Sequence, residues 1–175
     1  MSVVINGSAG VTTNSGAVYN GISAGTAVAS TSGTSIDFTS IPPWVKRITV
    51  MLNGVSLSGT SHFLFQIGAG SVDTTSYVGQ SNAMPGGGAT VGITPTTGFG
   101  VYSGNAGNIF SGSATITLVG SNMWVCAATF AAPANFVISV SGGTKTLSGS
   151  LDRIRITTVN GTDTFDAGSI NILYE

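Results

Sequence analysis

The groups that could move protons in this chain are few. His62 is the only histidine, and the acids are Asp37, Asp73, Asp152, Asp163, Asp166 and Glu175. A hydrolytic triad needs a nucleophile, a base and an orienting acid in contact. Hydroxyls abound, but His62 opens the apolar run HFLFQIG, and no Gly-x-Ser-x-Gly turn leads into a helical pattern. Glycoside hydrolysis needs two carboxylates across a cleft. Asp163 and Asp166 are the nearest pair, and each has the simpler role of a turn residue bonding its own backbone. The acids match no calcium-loop spacing. The lone Cys126 builds neither a disulfide nor a Cys-based metal site within one chain. The expectation is a protein that is not an enzyme and uses no cofactor and no metal.

Recognition of a neutral ligand has more candidates. Tyr77, Gln80, Asn82, Tyr102, Asn105 and Asn108 lie among Ser and Gly in an uncharged stretch. Aromatic faces pack on sugar C–H groups, and amides and hydroxyls bond sugar hydroxyls, so these six form the expected ligand-binding set. For Tyr77 and Tyr102 a place in the core fits equally well. Phe99, Trp124 and Trp44 (after Pro42-Pro43) read as core.

Charge sets further bounds. Of 175 residues only 11 are charged, 6% against a norm of about 25%. The chain instead holds 23 Ser, 23 Thr and 26 Gly. A net charge of −1 gives no footprint for nucleic acid, which needs clustered Lys and Arg. Residues 1–36 and 74–144 carry no charged side chain, and seven of the eleven charges lie between Lys145 and Glu175. An uncharged run of that length reads either as subunit interface, whose core is depleted of charge, or as a surface for an uncharged ligand. The most apolar stretch, MWVCAATFAAPANFVISV at 123–140, is interrupted by Pro133 and Asn135. It reads as two buried strands and not as a membrane span.

These residues must be positioned by strands. No segment keeps a helical apolar period, whereas VKRITVMLNG, HFLFQIG, SATITLVG, NMWVCAATF, NFVISV and LDRIRITTV alternate or run apolar between turn signals. SGG at 141–143 is expected to turn into TKTLSG. Asn160-Gly161 is expected to form a type I′ hairpin, Asp166-Ala167-Gly168 a second turn, and SINILYE a closing strand with Ile170, Ile172 and Tyr174 on one face. The fold expected is all-β, an antiparallel sandwich of jelly-roll type over 36–175. A Gly/Ser/Thr-rich leader over 1–35, extended and winding along oligomer neighbours or serving as a connector, precedes it.

Two segments, SIDFTSIPPWVKRITVMLNGVSLSGTSHFLFQIG and LDRIRITTVNGTDTFDAGSINILYE, resemble the C-terminal domain of tail-fibre proteins of tailed bacteriophages and prophages. The resemblance implies a distal β-rich domain, a homotrimer in a virion assembled in the host bacterial cytoplasm, with no catalytic motif. It implies a partner on the bacterial surface, a glycan or an outer-membrane receptor. The alternative is a structural virion protein without ligand: a trimer cap, a folding clamp or a decoration.

Overall fold

A computed structural model describes residues 21–175 and, before them, only the backbone of three short strands. These are β1 (Val3–Asn6), β2 (Gly10–Thr13) and β3 (Val18–Tyr19), paired antiparallel with one another. The rest of the leader's first twenty residues, and its expected winding along neighbours, lie outside the described residues.

Alternation of apolar and polar residues sets the strands from residue 35 onward. The long strand β7 (Arg47–Leu57) buries Ile48, Val50 and Leu52 and turns Arg47, Thr49 and Met51 outward. Before it come β4 (Ser23–Ala24), β5 (Val28–Ala29) and β6 (Ser35–Thr39); after it come β8 (Phe63–Ala69), β9 (Ser71–Val72), β10 (Val78–Pro85), β11 (Val91–Ile93) and β12 (Phe99–Val101). A meander of β13 (Phe110–Gly120), β14 (Met123–Ala132) and β15 (Val137–Thr146) leads to β16 (Arg153–Thr158) and β17 (Phe165–Tyr174). Pro133 opens the short 3-10 turn between β14 and β15, because proline cannot donate to a ladder.

Strands β4 to β17 form two antiparallel sheets. The large one runs β11-β10-β15-β14-β13-β7-β17-β4, with β5 also on β17, and the small one runs β12-β8-β16-β6, with β9 on β8. Links such as β6 to β7, β7 to β8 and β16 to β17 pass from one sheet to the other, and the inner faces close on one core, so the chain is an all-β sandwich. Phe65 of the small sheet meets Phe130 of the large at 5.8 Å, and Phe63 meets Phe110 edge-on at 5.7 Å. Each ring contributes burial worth roughly 1.5–3 kcal/mol. Trp124, Phe99 and Cys126 are buried as expected, and burial pushes the Cys126 thiol up to about 12.

Several local expectations are corrected. Ser141-Gly142-Gly143 is no turn; it lies within β15, where β10 approaches so closely that a Cβ on Gly143 would sit 2.7 Å from the Val78 carbonyl oxygen. Asn160-Gly161 does not close a hairpin, because β16 and β17 belong to different sheets; only Gly161 takes a positive φ (68°). Asp166-Ala167-Gly168 is a bulged stretch of β17, with Gly168 at φ 87°. Trp44 is 39% exposed and leans on Tyr174 at 5.9 Å. The leader's end is docked: β4 and β5 pair along β17, and buried Ser30 donates to the Ala167 carbonyl at 2.7 Å.

Candidate functional site

The outer face of the small sheet carries a polar groove of about 390 Å³. Arg155 on β16 and Gln66 on β8 line it, opposite each other, and Asp37 on β6 completes their cross-strand row just outside the groove. Alternation places all three on the outer face, since Ile36, Phe38, Ile154 and Ile156 fill the inner one, but Gln66 is itself buried there beneath the segment at Thr97 and Gly98. Arg155 donates from Nε and Nη2 to the two Asp37 carboxylate oxygens at 2.7 Å each. This bond holds the guanidinium above its ordinary pKa. The Gln66 amide is fixed by donation to the Thr97 carbonyl at 2.9 Å. The next row reads Ser35, Thr157 and Leu64, whose buried side chain gives the groove an apolar wall.

The rim is rigid. Asn160 Oδ1 accepts from the backbone N–H groups of Thr162 and Asp163, both at 3.1 Å, and its Nδ2 donates to Asp163 at 2.8 Å. The other Asp163 oxygen accepts from Ser61 N–H at 2.8 Å. The Asn160 and Ser61 bonds hold the Asp163 carboxyl below the usual range. The groove thus presents a guanidinium fixed by a carboxylate at its edge, flanked by hydroxyls and amides, with Leu64 as its apolar wall. Adjacent hydroxyls of a saturated ring match that pattern: they donate to a carboxylate and accept from a guanidinium in charge-assisted bonds. The volume lies within the usual range for ligand sites, roughly 300–1,000 Å³.

The six residues expected from sequence lie elsewhere, in three places. Tyr77 is corrected to the core at 2% exposure. Its hydroxyl accepts from Ile67 N–H at 2.8 Å and faces the Ile67 and Asp73 carbonyls at 3.1 and 3.0 Å. Its ring meets Phe99 edge-on at 5.0 Å, and burial raises the phenol above its ordinary pKa. Gln80 and Asn82 are exposed on the outer face of the large sheet, bonded to each other at 2.9 Å. Tyr102, Asn105 and Asn108 share the loop between β12 and β13. Asn105 is exposed and Tyr102 is half-buried, stacked on His62 at 4.4 Å. Asn108 is corrected to a buried brace, donating to the Ser103 carbonyl and accepting from Asn135, at 2.8 and 2.7 Å.

His62 braces a loop, and Asp166 joins two paired strands. His62 Nδ1 accepts from Ser103 N–H at 3.1 Å, and burial lowers its pKa. Asp166 accepts from Ser56 Oγ. Among the described residues no three of His, Cys, Asp and Glu gather in a metal-binding group, and no helix is long and apolar enough to cross a membrane. The sequence signal for the groove is the outward alternation of Asp37 and Arg155, two rare charges on strands far apart in the chain. Comparison with protein families, with characterised proteins and with solved structures finds no match to this chain.

Proposed function

We propose that this chain is a non-enzymatic binding domain for a bacterial cell-surface glycan, serving at the tip of a phage tail fibre. The observation that carries the reading is Arg155, held bidentate by Asp37 and exposed in a hydroxyl-lined groove. The pair is over one third exposed at both side chains, so its stabilising effect is small, about 0–1 kcal/mol. In a chain with only 11 charges, two placed for so little stability are better explained by recognition. The fibre-tip assignment rests on the sequence resemblance, and the glycan on the groove's chemistry.

The test is an array of bacterial surface oligosaccharides probed with wild type, Arg155→Ala and Asp37→Asn. Loss of one charge-assisted bond is worth roughly 1.5–3 kcal/mol, so both variants should lose at least tenfold in affinity while melting stays within a degree or two. Undiminished binding by both would exclude the groove as the binding site. The second reading, a structural virion protein without ligand, is favoured by the uncharged outer face of β10, β15, β14 and β13, where Val78 and Ile138 stand 70% and 45% exposed.

A further inference from the structure

The geometry points to the outer face of the large sheet as a surface on which a second copy of this chain packs. On β10, β15, β14 and β13 the outward residues fall in register. Met84 lies beside Ile138 and Ala131; Asn82 beside Val140, Thr129 and Ser113; Val78 beside Thr144, Val125 and Thr117. No side chain of these four strands in these rows is charged; Lys145, at the end of β15, points into the protein, and exposed Arg47 on β7, opposite Thr117, bounds the patch. Met84, Ile138 and Val140 are 51%, 45% and 45% exposed, a contiguous apolar patch of the kind that marks an interaction surface.

The patch continues into Phe136, the residue before β15. Phe136 is 78% exposed and takes a left-handed backbone, φ 53°, a conformation disfavoured for a bulky side chain. The strain is held in place by Gly86, whose N–H donates to the Phe136 carbonyl at 2.8 Å. An exposed aromatic forced outward at the edge of an apolar face has the character of an interface anchor.

Two arguments name the occupant. A partner bearing charge would have to bury it unpaired against this face, which is costly; a face equally free of charge would not, and this chain carries one. Its polar groups are hydroxyls and amides, each both donor and acceptor, so they can pair with copies of themselves. Four strands at about 4.8 Å spacing and eight residues of about 3.4 Å rise give on the order of 500 Å² per copy. The pair then buries about 1,000 Å², the lower bound for a specific interface, before the contribution of Phe136.

The test is the solution mass at micromolar concentration by light scattering. Wild type should give a multiple of the 17.4 kDa chain. Val140→Lys should give the single-chain mass with an unchanged circular dichroism spectrum. Gln80→Lys, at an exposed polar position on the same face, does the same should Val140→Lys fail to fold. Thr39→Lys, on the opposite sheet, should leave the multiple intact. A single-chain mass for wild type, or a multiple kept by every folded lysine variant of this face, overturns the inference. Neither result bears on the groove, which lies on the other sheet.

Discussion

On the small sheet's outer face, Asp37, Arg155 and Gln66 stand in one row across three strands. On the large sheet's outer face the comparable row reads Asn82, Val140, Thr129 and Ser113. Both rows face away from the same core and both obey strand alternation, so folding alone does not distinguish them. They differ in the cost of being covered. An ion pair that remains partly in water loses little when a small polar ligand takes the place of water. The same pair buried beneath a flat protein face would meet a desolvation penalty of several kcal/mol per ion. The four-strand patch from β10 to β13, which carries no ion, escapes that penalty. In a chain so poor in charge, the position of each exposed ion therefore marks which surface stays wet.

The contrast depends first on the sandwich that holds the two faces back to back. Deleting residues 169–175 removes Ile170 and Ile172, both buried, and most of the strand that links β7 to β4 and β5. Two such side chains represent roughly 3–6 kcal/mol of burial, a large part of the roughly 5–15 kcal/mol a domain holds. The truncated chain should show no cooperative melting; a normal transition would mean that β17 is dispensable.

A smaller effect separates core from face along one short stretch. Tyr77→Ala should lower stability by about 3–5 kcal/mol, as loss of a buried ring does. Gln80→Ala, three residues on and exposed, should stay within about 0.5 kcal/mol. Denaturant titrations that gave equal losses would erase the distinction.

The smallest effect comes from pH. Burial gives His62 a folded-state pKa below its ordinary 6.5, so below that value the unfolded chain binds more protons than the folded one. Stability from this group is therefore complete above about pH 6.5 and falls as pH drops through that value toward the folded pKa. Melting between pH 7.5 and 5.5 should decline slightly in wild type and less in His62→Gln. A rise on acidification would contradict the sign.

Strands are legible in the sequence where one face is buried, because period-two alternation is imposed by the core: Ile48, Val50 and Leu52, or Ile154 and Ile156, announce their strands. Connections are less legible. Asn160-Gly161 carries the residues of a two-residue hairpin, yet the flanking strands pair in different sheets, and local turn chemistry holds no information about that choice. Ser141-Gly142-Gly143 looks like a turn for the same local reason, whereas its glycines serve a close approach to β10 contributed by residues more than sixty positions away. The candidate site is hidden by the same distance. Asp37 and Arg155 are 118 positions apart and meet only through the β6–β16 pairing. Tyr77, flanked by Ser and Val, has the local setting of a loop residue, yet it is buried by Phe99 and by the cation of Lys145 lying 5.0 Å from its ring.

The most direct test of the division between the faces is amide chemical-shift mapping of isotope-labelled protein titrated with purified bacterial surface oligosaccharides. Saturable shifts are expected at Asp37, Gln66, Arg155, Thr157 and Asn160, with Asn82, Ile138 and Val140 unmoved. Saturable shifts confined to Asn82, Ile138 and Val140, with the groove silent, would overturn the division.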